Sequence, residues 1–526
     1  MTSLYAALWS HCLYAARLIA DDHSTNAGLE GCGTPLVDLL RRQATQILQF
    51  SSDRNEETDT ATEPKPNPET DAHTWRVSRR LQDLIELAYA RFYAYPPSDV
   101  PACWRHLYTD ASIMLFSLRW WQRRGRHTPL SDDDLDQLVR PLDLSLILAG
   151  GIGLAGRGPD WIHAAFDMLH RILEEDGKDV GECEDERRRA KRPRLGSSVI
   201  PKDGPAVPDF SAGPFFSTER TASSSEPAWT PPVRHPVPRS GPLGLEAFQA
   251  YLDGRGAGAA SRRGPLVLSG MLDHWPACQP QSRPWSSPGY LRWRTLRGRR
   301  LVPVEVGRSY VDDGWTQAIV PFADVLAELS CADGRQSKKS KKTGGPTYLA
   351  QHALFSQMPR LQSDISIPDA CYTSTQRGDK NSGDDDDDDY DNDCNVLMNA
   401  WLGPPGTITP LHTDPHHNLL AQVVGRKYVR LYAPEQTAAL RPRGREAGDV
   451  DMGNTSTVDV GAMEGWDAHE QDHDPCLEDS DEITVFRAVP YVDCILEPGD
   501  TLYIPQGWWH YVRGLSVSFS VSFWWN

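Results

Sequence analysis

The C-terminus constrains the fold more than any other stretch of this chain. Val517, Phe519, Val521, Phe523 and Trp525 alternate with Ser516, Ser518, Ser520 and Ser522. In extended backbone successive side chains point to opposite faces, so strict alternation predicts a half-buried strand. Short apolar runs at 397–402, 419–424 and 428–432, bounded by Gly or Pro, predict further strands. The region 236–526 therefore reads as mostly β.

The remainder reads differently. Residues 1–175 carry apolar stripes at helical spacing: Leu81, Leu84, Ile85 and Tyr89; Leu107, Ile113, Phe116 and Trp120; Ile162, Phe166, Leu169 and Ile172. Such stripes mark buried helix faces, and an N-terminal helical domain is expected. An acidic, Pro-containing gap at 51–71 reads as a loop. Residues 176–235 are rich in charge, Ser and Pro, as in Ala222, Ser223, Ser224, Ser225, Glu226 and Pro227, and read as a linker. It carries Arg187, Arg188, Arg189, Lys191, Arg192 and Arg194, a basic run of the kind read by nuclear import receptors. Inserts near 334–346, 373–395 and 441–486 break the β region and read as surface loops. The Asp run at 384–389 lacks the Gly and spaced ligands of a calcium loop and reads as a solvated acidic run.

Composition excludes several classes. The formal charge of −18 argues against a protein whose whole surface grips nucleic acid or an anionic membrane. No stretch reaches the apolar length of a membrane span, and residues 1–20 do not resemble a signal peptide. The 10 cysteines form no CxxC pair, so a reducing compartment is expected. Neither a GxSxG elbow nor a Walker-type phosphate loop is present.

The chemistry concentrates in Thr407-Ile408-Thr409-Pro410-Leu411-His412-Thr413-Asp414. His412 and Asp414 are two apart, so in extended backbone they share a face and can reach one metal. A third ligand must come from elsewhere, and His510 follows an apolar strand at 502–504. Two imidazoles and one carboxylate on one side of a metal suit Fe(II) and leave positions for an oxo-acid and dioxygen. Lys427 opens a strand behind a Gly425-Arg426 turn, where it can pair with the distal carboxylate of a dicarboxylate. Thr409, Asn418 and Tyr348 can add donors. His416 and His417 read as turn or rim residues, and His469 and His473 lack partners for a zinc site.

Together with these residues, several stretches resemble the jumonji-C group of Fe(II)/2-oxoglutarate-dependent oxygenases, from about 236 to 526. They are Leu301-Val302-Pro303-Val304-Glu305-Val306-Gly307, Thr347-Tyr348-Leu349-Ala350-Gln351-His352, Asp364-Ile365-Ser366-Ile367-Pro368-Asp369, Asn399-Ala400-Trp401, and Gly425-Arg426-Lys427-Tyr428-Val429-Arg430-Leu431-Tyr432. The C-terminal strand completes the set. Within the group the chain is most similar to the arginyl-hydroxylase subgroup, which has also been described as histone lysine demethylase and peptidase. The resemblance implies an α+β protein: a C-terminal double-stranded β-helix behind an N-terminal all-α domain. It implies Fe(II) on His412, Asp414 and His510, and 2-oxoglutarate on Lys427, Asn418, Thr409 and Tyr348. It also implies that Glu305 and Trp401 receive a guanidinium side chain, by forked pairing and stacking.

The implied substrate is a protein bearing an arginyl or methyl-lysyl residue, such as a histone or another chromatin or ribosomal protein, in the nucleus or also the cytoplasm. No direct nucleic-acid or membrane contact is expected. Hydroxylation of a side-chain carbon leaves an alcohol, whereas hydroxylation of an N-methyl carbon releases formaldehyde. Arginyl hydroxylation leads. Lysine demethylation, a non-catalytic binding module and a metal-dependent cupin-type enzyme without 2-oxoglutarate are the alternatives.

Overall fold

A computed structural model of the chain describes residues 3–21, 27–52, 68–96, 99–123, 128–189, 216, 230–255, 264–312, 314–331, 345–374, 396–445, 451–467 and 481–526. The acidic Asp run, the lysines at 338–342, residues 190–194 of the basic run and the Ser/Pro run at 222–227 lie outside them. The chain forms two units. One is Met1–Pro208 with Arg292–Val302 and Pro321–Ala323; the other is Asp209–Leu291 with Pro303–Val320 and Asp324–Asn526.

Among the described residues the first unit is built on α1 (Ser3–Asp21), α2 (Thr34–Ser52), α3 (Pro68–Phe92), α4 (Ala102–Arg123), α5 (Asp132–Ala149) and α6 (Pro159–Arg189). The predicted stripes on α3, α4 and α6 meet in one apolar core, with Ile85 and Tyr89 packed at its margin. Helix α6 runs past the boundary expected at 175. Helix α5 starts at a reciprocal cap: the Ser131 hydroxyl accepts from the Asp134 amide while the Asp134 carboxylate accepts from Ser131. It ends on Gly150 in the left-handed region at φ 69°, where a side chain would be strained.

The segment Arg292–Val302 completes this unit although it lies far downstream in sequence. Leu296 joins the core. The Arg300 guanidinium donates to Asp143 at 2.8–3.0 Å and lies 3.8 Å from the centre of the Phe166 ring. The Leu301 amide adds a bond of 2.7 Å to the same carboxylate. Both charges are buried. Truncating one member strands the other in a low-dielectric site, so Asp143→Ala is expected to cost about 3–5 kcal/mol, read as a fall in the denaturant midpoint. An unchanged midpoint would refute this.

The second unit carries the strands. The first seven are β1 (Arg239–Ser240), β2 (Leu266–Ser269), β3 (Leu301–Val306), β4 (Thr316–Pro321), β5 (Thr347–His352), β6 (Leu397–Gly403) and β7 (Ile408–Thr413). They are followed by β8 (His417–Val424), β9 (Lys427–Tyr432), β10 (Val492–Leu496), β11 (Asp500–Ile504), β12 (Trp509–Gly514) and β13 (Ser518–Trp525). One sheet runs β1-β2-β11-β8-β13-β6-β5-β3-β4 and the other β10-β9-β12-β7. Leu420, Leu502 and Ile504 of the first share a core with Val429, Leu431 and Val512 of the second. The two sheets thus pack face to face as a double-stranded β-helix, and the whole chain is α+β.

The half-buried reading of β13 needs correction, because all eight of its residues are buried. It lies inside its sheet, paired to β6 and β8. Phe519 stacks on Trp285 at 4.4 Å and Phe523 meets Trp275, so helical and loop segments cover the apolar face. The serine face points into the barrel: Ser522 accepts from the Trp401 indole at 3.0 Å and Ser520 donates to Gln422 at 2.8 Å. The loop reading of 441–486 also fails for part of that insert. Val458, Val460 and Phe486 are buried in a core with Leu411 and Tyr511. Apolar residues spaced irregularly among polar ones hid this packing from a periodicity reading.

Candidate active site

The barrel brings His412, Asp414 and His510 together. His412 on β7 and His510 on β12 are direct cross-strand partners, with ring centres 4.1 Å apart. Asp414 follows β7 at once, and its carboxylate oxygens lie 3.8 Å from His412 Nε2 and 3.5 Å from His510 Nε2. The ligand atoms of all three lie within 4.8 Å of one another. The Gly507 amide donates to the Asp414 carbonyl at 3.1 Å and closes the loop before β12 against the loop after β7.

Backbone carbonyls set the tautomers. His412 Nδ1 lies 2.9 Å from the Pro410 carbonyl and His510 Nδ1 3.1 Å from the Trp508 carbonyl. A carbonyl can only accept, so each Nδ1 carries a hydrogen, and Nε2, turned toward Asp414, is the nitrogen each ring can offer to a metal. Burial, with His412 beside it, lowers the pKa of His510 to about 4, which keeps that ring neutral. Two imidazoles and one carboxylate converge, which is the donor set a divalent iron accepts.

Lys427 opens β9 and is buried. Gly425, at φ 70°, makes the preceding turn; a side chain there would collide with the Val517 carbonyl. The Lys427 ammonium lies 3.3 Å from the Tyr348 hydroxyl and has no carboxylate partner among the described residues. Burial lowers its pKa to about 7. Burial also raises that of Tyr348, against the neighbouring Thr409 hydroxyl. Asn418 Oδ1 is buried without a hydrogen-bond partner. A buried cation without an anion and an orphaned buried amide oxygen mark a place made for a polar, anionic guest. These residues fit a dicarboxylate.

A cavity of 240 Å³ is lined by Glu305, Tyr310, Tyr348, Trp401, Thr409, His412 and Asp414. Lys427 and Asn418 are not in its lining; the Lys427 ammonium meets the Tyr348 hydroxyl that is. Glu305, on β3, is the cross-strand partner of Tyr348. Burial raises its pKa, and no cation pairs with it among the described residues. Trp401 belongs both to the barrel core and to the cavity wall.

His417 opens β8 and accepts or donates at 2.8 Å to the Tyr503 hydroxyl, while His416 meets Asn526 at 3.0 Å. Neither joins the metal-ligand group. His469 and His473 lie outside the described residues. Sequence reasoning missed Tyr310, Asn454 and Trp524, which also line the cavity. Tyr310 stands only five residues after Glu305, so proximity was a usable signal. Trp524 lay inside the alternating strand, and Asn454 in a polar insert offered none.

Comparison with known proteins agrees with this geometry. A family profile described as a cupin-like domain matches residues 257–526. Lysine-specific demethylase 8 of Danio rerio is 38% identical over 451 residues, covering 85% of this chain and 87% of that protein. The chain belongs to the cupin-like JmjC family. Lysine-specific demethylase JMJ30 of Arabidopsis thaliana is 39% identical over 290 residues, 55% of this chain and 54% of that protein. The human bifunctional peptidase and (3S)-lysyl hydroxylase JMJD7 is more distant, 24% identical over 285 residues, 50% of this chain and 77% of its own. This JmjC chain is accordingly an enzyme of the 2-oxoglutarate-dependent dioxygenase class. Among the described residues no helix is long and apolar enough to cross a membrane.

Proposed function

We propose that this JmjC oxygenase hydroxylates an arginyl side chain of a protein substrate. The carrying observation is Glu305: a half-buried carboxylate with no cation beside it among the described residues, in the same cavity as His412 and Asp414. A guanidinium entering there would satisfy it by a forked pair, with the Trp401 indole face alongside. In this reading His412, Asp414 and His510 hold Fe(II). Lys427 would hold the distal carboxylate of 2-oxoglutarate, with Tyr348, Thr409 and Asn418 as further donors. When bound, the metal with its cosubstrate and dioxygen supplies an oxidant able to turn a C–H into C–OH.

The protein's own part is positional. The two carbonyl-held imidazoles keep their metal-facing lone pairs ready, and Glu305 fixes the far end of the cationic side chain. Its reactive carbon is thereby held toward the metal end. We take the catalytic domain to be 236–526; the helical domain expected at 1–175 is extended by α6 to Arg189, which leaves the linker the residues between Arg189 and 236. A histone or another chromatin or ribosomal protein fits as substrate.

The names of relatives at 38–39% identity favour a second reading, lysine demethylation. A methylammonium could also pair with Glu305. The two differ in product mass. With Fe(II), 2-oxoglutarate and arginyl or methyl-lysyl peptides, arginyl hydroxylation adds the mass of one oxygen, absent in His412→Ala. Loss of one methylene from a methyl-lysyl peptide instead would replace the first reading by the second. Glu305→Gln is expected to raise peptide KM about tenfold or more while 2-oxoglutarate KM holds; an unchanged peptide KM removes Glu305 from the substrate site.

A nuclear site of action rests on the basic run. Replacing Lys191, Arg192 and Arg194 with Ala should shift a tagged full-length chain from nucleus to cytoplasm. An unchanged distribution removes that argument.

A further inference from the structure

The 451–467 part of the insert reaches the active site, although its sequence reads as a loop. The Ser456 amide donates to the Leu411 carbonyl at 2.8 Å and the Thr413 amide to the Asn454 carbonyl at 2.9 Å. The segment thus pairs with the outer edge of β7, the strand that carries His412. Behind that contact it is pinned. Asp459 and Asp467 pair with Arg308 at 3.3 and 2.9 Å, and Glu464 pairs with the buried Arg430 at 2.6 Å. A segment held on both sides presents its side chains in a fixed place, as a recognition site requires.

One of those side chains lines the cavity, and its neighbour touches a residue that does. Asn454 is exposed and lines the cavity together with Asp414. Among the described residues its Nδ2 has only a long contact of 3.5 Å to the Thr413 carbonyl, and its Oδ1 only a contact of 3.3 Å from the Thr455 hydroxyl. Its hydrogen-bonding capacity is therefore largely unspent. Next to it, Thr455 Oγ1 lies 3.3 Å from the hydroxyl of Tyr310, whose ring lines the cavity with Glu305 and Asp414.

We propose that Asn454 is a specificity residue that hydrogen-bonds the main chain of the protein substrate, and that Thr455 positions Tyr310 against the substrate side chain. The inference rests on the reading that the cavity takes a cationic side chain from a polypeptide. A side chain reaching Glu305 from solvent leaves its own backbone at the exposed mouth, where Asn454 stands. A carboxamide is the complement of a peptide group, since its N–H meets the C=O and its oxygen meets the N–H. The contact is blind to side-chain identity, so it would select an extended polypeptide over a free amino acid.

The test uses the full-length chain with Fe(II) and 2-oxoglutarate under nitrogen. The probe is the tightest binder from an arginyl and methyl-lysyl peptide library, read by fluorescence anisotropy. Asn454→Ala is expected to weaken peptide binding about tenfold, or about 1.4 kcal/mol, with 2-oxoglutarate affinity held within about twofold. A second peptide, with an ester replacing the amide beside the cationic residue, lacks one main-chain N–H. Wild type should lose affinity for it, and Asn454→Ala should lose no more. Thr455→Val should raise the succinate formed per peptide oxidised in air, and Thr455→Ser should restore the ratio. Arg79→Ala, on an exposed helical face, is the control.

Equal peptide binding by Asn454→Ala and wild type overturns the proposal, as does a full additional ester loss in the variant. An unchanged succinate ratio in Thr455→Val overturns the positioning role. If Glu305→Gln weakens binding and Asn454→Ala does not, only this inference falls. If no peptide binds wild type, the cationic-substrate reading falls, and this one with it.

Discussion

Asp414→Ala should reduce peptide oxidation at least about 10³-fold, equivalent to about 4 kcal/mol of transition-state stabilisation. Asp414 is the sole anion of the triad, and its two oxygens lie 3.8 and 3.5 Å from the two Nε2 atoms. Without it two imidazoles remain, and a dication would meet no carboxylate of the triad in a largely buried site. The metal content of the purified variant after incubation with Fe(II) should fall in parallel. The fold should persist, because the carboxylate makes no ion pair outside the triad among the described residues and its removal relieves a desolvated charge. Iron retained at wild-type level with succinate formation intact would remove Asp414 from the metal site.

Lys427→Met should weaken 2-oxoglutarate binding about 30-fold or more, because truncating one partner of a buried charge pair costs about 2–5 kcal/mol. The same residue gives a pH signature. Its folded, ligand-free pKa is lowered to about 7 by burial. An unfolded lysine titrates near about 10.4. Binding a carboxylate favours the ammonium, so above about pH 7 each binding event must take up a proton. Affinity should then fall about tenfold per pH unit above about 7 in wild type. In the ligand-free protein the unfolded chain holds the proton between about 7 and 10 while the folded one does not. Stability from this group therefore rises with pH across that window, and at neutral pH or below Lys427→Met should unfold at a higher temperature than wild type. Calorimetric titration over pH 6–9 and thermal melts read both effects. Pairing of 2-oxoglutarate with Lys427 would be excluded by pH-independent affinity together with unaltered binding in the variant.

Legibility differed from residue to residue. The His412–Asp414 spacing was readable because period two is a property of extended backbone, whatever the fold around it. Pairing with His510 required knowing that β7 and β12 are neighbours, a long-range fact that spacing does not carry. The resemblance supplied it before the structure did. Lys427 was readable as a strand-opening lysine, but not as a cation without a counter-charge, since burial depends on what surrounds it. Asn454 was illegible, because it enters the cavity through two hydrogen bonds to β7 made by a segment without periodicity. The helical stripes were legible, because burial of one helix face imposes its period locally. The part played by Arg292–Val302 in that helical unit was not, since Arg300 and Asp143 are far apart in sequence.

By itself the sequence determined the helical and β halves, the strand that ends the chain and the chemical types of the residues proposed to bind the metal and the anion. Each follows from local periodicity or from side-chain chemistry. Only the tertiary structure decided which face of that last strand is the interior. Serine, usually the solvent face of an alternating strand, here lines the barrel beside Trp401, while Phe519 and Phe523 lie under Trp285 and Trp275. Alternation says that two faces differ; what packs against each is settled by segments remote in the chain.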